Sequence, residues 1–378
     1  MTTPLPVGFR LFGDANLRRA SDGTVLWGGT PLRLLRLTEA GAALATRLLA
    51  GEPVADARSG ALARRLLDAG LAHPCPPNDA AVPALAVVVP AQDRLIELDR
   101  CLAALDGLAV TVVDDASSDV AGVAEVVARH RARLVRRDVN GGPAAARNSG
   151  VVATEGEVIA FVDSDCVVAG DVLRALARHL ADPAVAGVSP RIADPLLDMG
   201  DRPALVRHGG VVPYVPATAV VVRRTALVEV GGFDESLRYG EDVDLVWRLA
   251  TAGWSVRYDP SAVAEHATSR GYRARVARRY DYGTSVGPLS RRHPAALRGP
   301  ALAGLWAPLR LGTLVRSGIP APAAVRVAAS APIRTAVALA RWVMPTSADD
   351  VAYTLGVWRS CLSARTITPL LPAIDARR

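Results

Sequence analysis

The stretch VIAFVDSDCVV, residues 158–168, places two carboxylates one residue apart directly after an apolar run. Val, Ile and Phe between polar residues are typical of a buried strand. Asp163 and Asp165 would repel each other in the ionised form unless a cation lies between them. The alternative is an Asx-type turn, in which the carboxylates accept hydrogen bonds from loop N–H groups. The surrounding sequence has to distinguish a cation site from such a turn.

Two apolar runs upstream, at residues 84–90 and 109–115, predict strands that also end in polar side chains. Helical patterns around residues 95–106 and 120–131 follow them, and this alternation predicts an α/β fold with a parallel sheet. Ligands bind beyond the carboxyl ends of the strands in such sheets. Three polar strand ends in series therefore favour a binding site over solvated turns. No G-x-G-x-x-G motif follows any of these strands, which excludes the phosphate turn of a Rossmann-type dinucleotide domain.

All 44 basic side chains are arginines, and the sequence contains no lysine. Schiff-base catalysis and a Walker-type phosphate lysine are therefore excluded. Phosphate would have to be bound by arginine, by backbone N–H groups or through a metal ion. The four cysteines lie far apart and form no C-x-x-C pair, so they give neither a disulfide framework nor the usual zinc spacing.

The sequence pattern divides the chain into three predicted domains, residues 1–80, 84–290 and 291–378. The first should be a small α+β unit with a winged-helix-like arrangement, containing a hairpin at residues 24–37 and two helices. Thr38 is the expected N-cap of the first helix. The proline-rich residues 73–83 predict a linker. The last domain is rich in Ala, Pro and Arg and is predicted to be mostly helical.

Positive charge is concentrated near the C-terminus, where seventeen arginines face four acidic residues from residue 270 onward. This favours an anionic surface as a partner, a membrane rather than nucleic acid. Within residues 299–344, single arginines and two tryptophans among apolar residues fit helices that lie in a membrane interface. Helices packed on the rest of the protein are the alternative. Without a signal-peptide pattern or an uncharged stretch of eighteen residues, we expect a cytoplasmic protein with peripheral attachment to the inner membrane face.

Two further motifs complete an ordered set, NGGPAAARNSG at residues 140–150 and GGFDESLRYGEDVDLVWRLATAGW at residues 231–254. Together with VVVPAQD, VVDDASSD and FVDSD, they resemble the family 2 glycosyltransferases over roughly residues 84–270. That family uses nucleotide-diphosphate sugars, has the GT-A fold and inverts the anomeric configuration. The resemblance therefore implies a UDP-sugar donor site at the strand ends. The first strand ends in Ala91-Gln92-Asp93, where the family commonly has threonine, an aromatic residue and asparagine.

The resemblance also assigns positions around the nucleotide. Asp115, with Asp114 beside it, would contact the nucleobase, and Arg147 would lie along the nucleotide. Asp163 would bind the ribose. The residues implied in donor binding are Pro90, Gln92, Asp114, Asp115, Arg147 and Asp163.

The metal and the base are implied in the same way. Asp165 would hold Mg²⁺ or Mn²⁺ between the two phosphates, and His266 is either a further ligand or a structural histidine. Without lysine, such a cation is the natural stabiliser of the charge that develops on the leaving diphosphate. Asp242 would deprotonate the acceptor hydroxyl. Its neighbours Glu241 and Asp244 either assist it or interact with the dipole of the helix that begins there.

Residues 1–80 resemble PqqD-type peptide-recognition modules. A DNA-binding role is disfavoured because residues 30–70 hold six arginines against four acidic residues, a weak field for phosphate. Such a module ahead of a family 2 transferase implies UDP-glucose as donor and a peptide-derived redox cofactor, or its precursor, as acceptor of β-linked glucose. The alternatives are a transferase for cell-envelope glycan or lipid and a non-catalytic peptide-binding scaffold. The intact carboxylates Asp163, Asp165 and Asp242 favour an enzyme.

Overall fold

The computed structural model describes residues 3–267, 271–296 and 348–366. These residues form two compact units. One contains residues 3–17, 28–33 and 43–267, and the other contains residues 18–27, 34–42, 271–296 and 348–366. Most N-terminal residues thus share a compact unit with the predicted transferase domain, and the three-domain division stays a prediction.

The N-terminal elements are β1 (Arg10–Gly13), β2 (Arg18–Arg19), β3 (Val25–Gly28), β4 (Arg33–Arg36), α1 (Glu39–Leu49), α2 (Ala57–Asp68) and β5 (Ala72–Cys75). Strands β3 and β4 are neighbours in one sheet, which confirms the hairpin. Thr38 Oγ1 accepts a hydrogen bond from the Gly41 N–H at 3.2 Å, which confirms the cap. The predicted linker begins too early, because its first three residues belong to β5, which pairs antiparallel with β1. Pro74 suggested a linker, but it is buried in this short strand.

A nine-stranded sheet forms the centre of the larger unit, within the part of the chain that the structure describes. Its strands are β6 (Leu85–Ala91), β7 (Ala109–Asp115), β8 (Arg133–Arg137), β9 (Val158–Val162), β10 (Cys166–Val167), β11 (Val185–Ala193), β12 (Ala204–Val206), β13 (Ala219–Arg223) and β14 (Ser255–His266). The strand order is β10-β14-β11-β13-β9-β6-β7-β8, and β12 pairs with β14. The accompanying helices are α3 (Leu95–Ala104), α4 (Val120–Arg129), α5 (Gly142–Ala153), α6 (Gly170–Ala177), α7 (Arg224–Glu229) and α8 (Glu241–Thr251).

The prediction of a parallel sheet is correct for part of this sheet only. Strands β9, β6, β7 and β8 are parallel neighbours, and so are β11 and β14, whereas β13 runs antiparallel to both β9 and β11. The sheet is therefore mixed. Strand β8 was not predicted, because its sequence RLVRR carries three arginines and lies at the sheet edge, where little is buried.

Apolar packing explains why the parallel strands have nearly continuous hydrophobic sequences. Every residue of β9 is buried, as expected for a strand covered by helices on both faces. Helix α5 approaches β6 closely, since a Cβ atom at Gly150 would lie 2.2 Å from Val88 Cγ1. This glycine is needed to bring the motif NGGPAAARNSG against the sheet. Helix α5 also starts two residues earlier than the predicted short helix at residues 144–151.

The C-terminal helices are α9 (Tyr272–Thr284), α10 (Val286–Arg292) and α11 (Ala348–Ser363). Helices α9 and α11 cross closely, because a Cβ atom at Gly356 would lie 2.1 Å from the Tyr280 carbonyl oxygen. In the three described ranges, no helix has both the length and the apolar character needed to cross a bilayer. The predicted interfacial helices at residues 299–344 lie outside the described residues.

Candidate active site

The two carboxylates at the end of β7, Asp114 and Asp115, are held by neighbouring elements, and Asp115 shapes the loop before α5. Asp115 accepts hydrogen bonds from the N–H groups of Gly141 at 3.0 Å and Gly142 at 2.7 Å, and from Arg137 Nε at 2.8 Å. Asp114 is almost completely buried, accepts a bond from the Ser117 N–H and pairs with the Arg136 guanidinium. Both carboxylates are therefore engaged within the protein, and their contact with a nucleobase stays a prediction.

The other predicted nucleobase residues lie at the end of β6. Pro90 is buried in the strand, whereas Gln92 is exposed just beyond it. Gln92 is therefore the more accessible of the two for a ligand at the carboxyl ends of β6, β7 and β9.

Arg147 is the buried link between the strand ends and α8. Its Nη2 donates to Asp163 Oδ1 at 2.7 Å and its Nη1 donates to Glu241 Oε1 at 2.9 Å. Burial lowers the pKa of Arg147, but the charges of the two carboxylates outweigh burial and raise the pKa overall. Arg147 therefore positions Asp163 and the first turn of α8 from inside the protein. The sequence placed it at the nucleotide and gave no sign of this linking position.

Asp165 and His266 come together because β10 pairs antiparallel with β14, with Cys166 opposite His266. Asp165 Oδ1 lies 3.3 Å from His266 Nε2. On the other side of the imidazole ring, Nδ1 lies 2.8 Å from Asp194 Oδ2. Burial lowers the pKa of His266, but its hydrogen bonds with Asp165 and Asp194 and their charges outweigh burial, so the pKa is raised.

This arrangement fits a divalent metal ion. With a metal ion bound, an Nδ1–H bond to Asp194 would fix the tautomer of His266 and leave the Nε2 lone pair for the ion, as is usual for metal-ligating histidines. Carboxylate oxygen and imidazole nitrogen both suit Mn²⁺, and the carboxylate suits Mg²⁺. No group of three or more His, Cys, Asp or Glu side chains forms a complete metal site within the described ranges. Donor phosphates would have to supply the remaining ligands.

The first turn of α8 carries three carboxylates in three different environments. Glu241 pairs with Arg147, and Asp244 is buried and pairs with Arg248 at 2.7 Å. Asp242 has no salt-bridge partner among the residues that the structure describes, and it accepts hydrogen bonds from the N–H groups of Val243 at 2.8 Å and Ala217 at 3.4 Å. Burial, reinforced by the charge of Glu241, raises the pKa of Asp242 to about 7. A carboxylate with this pKa is suited to general-base catalysis near neutral pH.

The loop GGFDESL, residues 231–237, is attached to α5 through Asn148. The Asn148 side chain accepts a bond from the Phe233 N–H at 2.9 Å and donates to the Phe233 carbonyl oxygen at 2.9 Å. It also donates to Glu235 Oε1 at 2.9 Å. The loop is thereby held beside the start of α8, close in sequence to Asp242.

Three site features were missed from the sequence. Asp194 supports His266 from the end of β11, Arg136 and Arg137 of β8 pair with the aspartates of β7, and Arg94 contacts Asp165. The one sequence signal for β8 is its cluster of arginines around Leu134 and Val135, which is compatible with a charged edge strand beside those aspartates. Asp194 and Arg94 carry no comparable signal, because their contacts depend on pairing between distant segments.

Comparison with known proteins identifies the class. Residues 86–208 match the family model "Glycosyl transferase family 2", and residues 158–358 match "Glycosyl transferase family group 2". The chain therefore belongs to glycosyl transferase family 2, and it is a glycosyltransferase whose mixed α/β sheet has the GT-A-type fold. The predicted helical C-terminal part is also present. This confirms the family and fold predicted from the sequence.

The chain is also similar to individual proteins of known name or structure. The chain is 40% identical over 333 residues to the "Pre-mycofactocin glycosyltransferase" of Mycobacterium tuberculosis, and the aligned region covers 82% of this chain and 70% of that protein. It is 30% identical over 234 residues to the succinoglycan biosynthesis protein ExoO of Rhizobium meliloti, which covers 54% of this chain and 66% of that protein. A mannosyltransferase from Pyrobaculum calidifontis, solved with GDP-Man and Mn²⁺, has a TM-score of 0.49 at 22% identity, covering 78% of this chain and 85% of that one.

Proposed function

We propose that the chain is a metal-dependent, inverting glycosyltransferase that moves glucose from UDP-glucose to mycofactocin or its precursor, a peptide-derived redox cofactor, and builds a β-linked oligoglucoside. The observation that carries the proposal is that His266 lies between Asp165 and Asp194, in the same unit as Asp242 with its raised pKa. The donor and acceptor are suggested by the sequence resemblance and by the name of the mycobacterial relative.

The donor would bind at the carboxyl ends of β6, β7 and β9. Asp165 and His266 would hold Mg²⁺ or Mn²⁺, and such an ion neutralises charge on a leaving diphosphate. Asp163 is partly exposed, and Arg147 holds one of its oxygens, so the other can accept a ribose hydroxyl. Gln92 and the loop held by Asp115 would border the nucleobase.

The acceptor would be activated by Asp242. The acceptor oxygen forms the new bond to the anomeric carbon while the bond from that carbon to the phosphate oxygen breaks, and UDP leaves with the bonding electrons. The hydroxyl proton passes to Asp242. Attack opposite to the leaving group inverts the anomeric carbon and forms no covalent enzyme intermediate.

The N-terminal residues would recognise the peptide-derived part of the acceptor. Buried Arg64 of α2 bonds to Asp182, which directly follows the 3-10 helix Arg178–Ala181. Arg207 donates to the carbonyl oxygens of Asp68 at 3.2 Å and Thr30 at 3.4 Å. The contacts of Arg64 and Asp68 hold α2 against residues 182 and 207 of the transferase region. A module that presents an acceptor to the transferase would need such a fixed attachment.

Purified chain supplied with radiolabelled UDP-glucose, Mn²⁺ and the peptide-derived precursor should yield labelled, β-glucosidase-sensitive product. Reactions with cell-envelope lipid extract in place of the precursor test the alternative acceptor. Label found only in lipid or glycan would contradict the acceptor, and label transferred from other UDP-sugars alone would contradict the donor. Absence of both transfer and UDP-glucose hydrolysis would favour the scaffold alternative.

We also propose peripheral attachment to the inner membrane face through α11. Val351, Leu355, Trp358 and Leu362 are 43%, 57%, 51% and 74% exposed, and their spacing places them on one face of the helix. Arg359 and Arg365 are also exposed, as expected of a helix that lies on anionic lipid.

Flotation with phosphatidylglycerol vesicles should recover the wild-type chain at low salt and much less of it at high salt. Replacing Trp358 and Leu362 with serine should reduce recovery severalfold, because both insert apolar surface into the interface. Val152→Ser is the matched control, since Val152 is an exposed apolar residue of α5. Equal flotation of all three proteins would contradict the proposed surface.

A further inference from the structure

Arg94 is held in an unusual backbone conformation at the end of β6. Asp93 and Arg94 have φ angles of 54° and 55°, in the left-handed region that non-glycine residues rarely adopt. Two such residues in succession persist only where their surroundings fix them, and strain of this kind concentrates at functional sites. The fixed backbone sets the point from which the Arg94 side chain extends.

The surroundings that fix this backbone are a reciprocal set of hydrogen bonds between two strand-end loops. The Asp93 N–H donates to Ser117 Oγ at 2.8 Å. In return, Asp93 Oδ1 accepts from the Ser118 N–H at 2.9 Å and from its hydroxyl at 2.8 Å. The loops after β6 and β7 are thus fastened together, and the Cα of Arg94 is held at the edge of the donor site.

The Arg94 side chain extends from this fixed point to Asp165. Its Nη1 donates to Asp165 Oδ2, and the other oxygen of the same carboxylate faces His266 Nε2 at 3.3 Å. The Arg94 side chain is 37% exposed, whereas that of Asp165 is 12% exposed. Arg94 can therefore move into solvent or toward a ligand, whereas Asp165 stays within the site. Arg94 and a metal ion would compete for one carboxylate.

We propose that Arg94 is a positioning residue that exchanges partners during donor binding. It neutralises Asp165 before the metal arrives and then pairs with the diphosphate of the nucleotide. This inference rests on the proposed metal site. Phosphates that share an ion with Asp165 lie within reach of a side chain that already contacts Asp165. A guanidinium suits this exchange, because it binds carboxylate and phosphate with the same planar set of N–H donors.

The exchange predicts effects of opposite sign on two ligands when Arg94 is replaced by glutamine. Mn²⁺ affinity without nucleotide, measured by electron paramagnetic resonance, should rise about two- to fivefold because a partly exposed competitor for Asp165 is lost. UDP affinity at saturating Mn²⁺, measured by calorimetry, should fall about tenfold because a charge-assisted bond to phosphate is lost. Arg94→Lys retains the charge and should restore most of the UDP affinity.

Arg129→Gln is the matched control. Arg129 is an exposed arginine that pairs with Asp99 at 2.8 Å, at the opposite end of α4 from the loop after β7. It should change neither affinity. The exchange alone would be overturned if the wild type binds Mn²⁺ but Arg94→Gln binds Mn²⁺ no more tightly. It would also be overturned if Arg94→Gln keeps the UDP affinity of the wild type. A wild type that binds no Mn²⁺ in the millimolar range would instead overturn the metal site on which the exchange rests.

Discussion

Replacing Asp242 with asparagine should lower the rate of sugar transfer by about 10²–10⁴-fold, the usual contribution of a general base. The amide keeps the size of the side chain, and its one oxygen can still accept the shorter of the two N–H bonds, the one from Val243, but it cannot take up a proton. UDP and Mn²⁺ affinities, measured by calorimetry, should stay close to those of the wild type. An equal loss of donor binding would show that Asp242 supports the start of α8 rather than the chemistry.

Asp244→Asn is the matched control, because Asp244 is a carboxylate of the same helical turn that pairs with Arg248. This substitution breaks a buried ion pair, so it should lower the melting temperature. Transfer per folded molecule should change far less than in Asp242→Asn. The two variants separate a catalytic carboxylate from a structural one at the same end of α8.

The pH dependence gives the Asp242 prediction a second measurement. With a pKa of about 7, the carboxylate becomes protonated below neutrality, so wild-type kcat/KM should fall about tenfold per pH unit there. The residual activity of the variant should lack this dependence.

The raised pKa of Asp242 also makes the stability of the protein depend on pH. Between pH 3.8 and about 7, Asp242 is protonated in the folded state and ionised in the unfolded state, so the free energy of unfolding falls as pH rises through that interval. At pH 8 the asparagine variant should therefore melt at a higher temperature than the wild type.

The sequence predicted the strand ends better than the contacts between them. Asp163 and Asp165 of FVDSD come directly after β9, a strand whose residues are all buried, and the hydrophobic pattern alone is enough to place them. The partners of these aspartates are long-range. Asp165 meets His266 only because β10 and β14 pair in a particular register, and one sequence cannot reveal that register. The antiparallel pairings of the sheet were missed for the same reason.

The three carboxylates of α8 show a second limit. Their adjacency suggested either catalysis or interaction with the helix dipole, and only the family resemblance singled out Asp242 as the base. In the structure, Arg147 takes Glu241 and Arg248 takes Asp244, which leaves Asp242 with backbone N–H partners. Arg147 is buried and pairs with two carboxylates, Asp163 and Glu241, that lie far from it in the sequence. Such contacts arise only from the tertiary fold. They also explain why Arg147 lies inside the protein, and its contact with the nucleotide stays a prediction.

Replacing Asp165 with asparagine should remove metal-dependent turnover of the donor. An amide cannot supply the negative charge that holds a divalent cation, and outer partners of metal ligands already contribute about 10–100-fold in affinity. We expect Mn²⁺ affinity, measured by electron paramagnetic resonance, to fall by at least about 100-fold, and UDP-glucose turnover to fall below detection at any Mn²⁺ concentration. UDP affinity without metal should change little, since the metal ion is the proposed link between Asp165 and the phosphates.

Asp194→Asn provides the graded comparison for this site. Asp194 contacts His266 Nδ1 on the side of the ring that faces away from Asp165, so its replacement should weaken Mn²⁺ binding by about 10–100-fold without abolishing it. Turnover in Asp194→Asn should recover as Mn²⁺ is raised, whereas turnover in Asp165→Asn should not. Near-normal transfer by Asp165→Asn would instead mean that FVDSD forms a turn and holds no metal ion. The charge of the leaving diphosphate would then be stabilised by arginine and backbone N–H groups, because these are the other phosphate-binding groups in a chain without lysine.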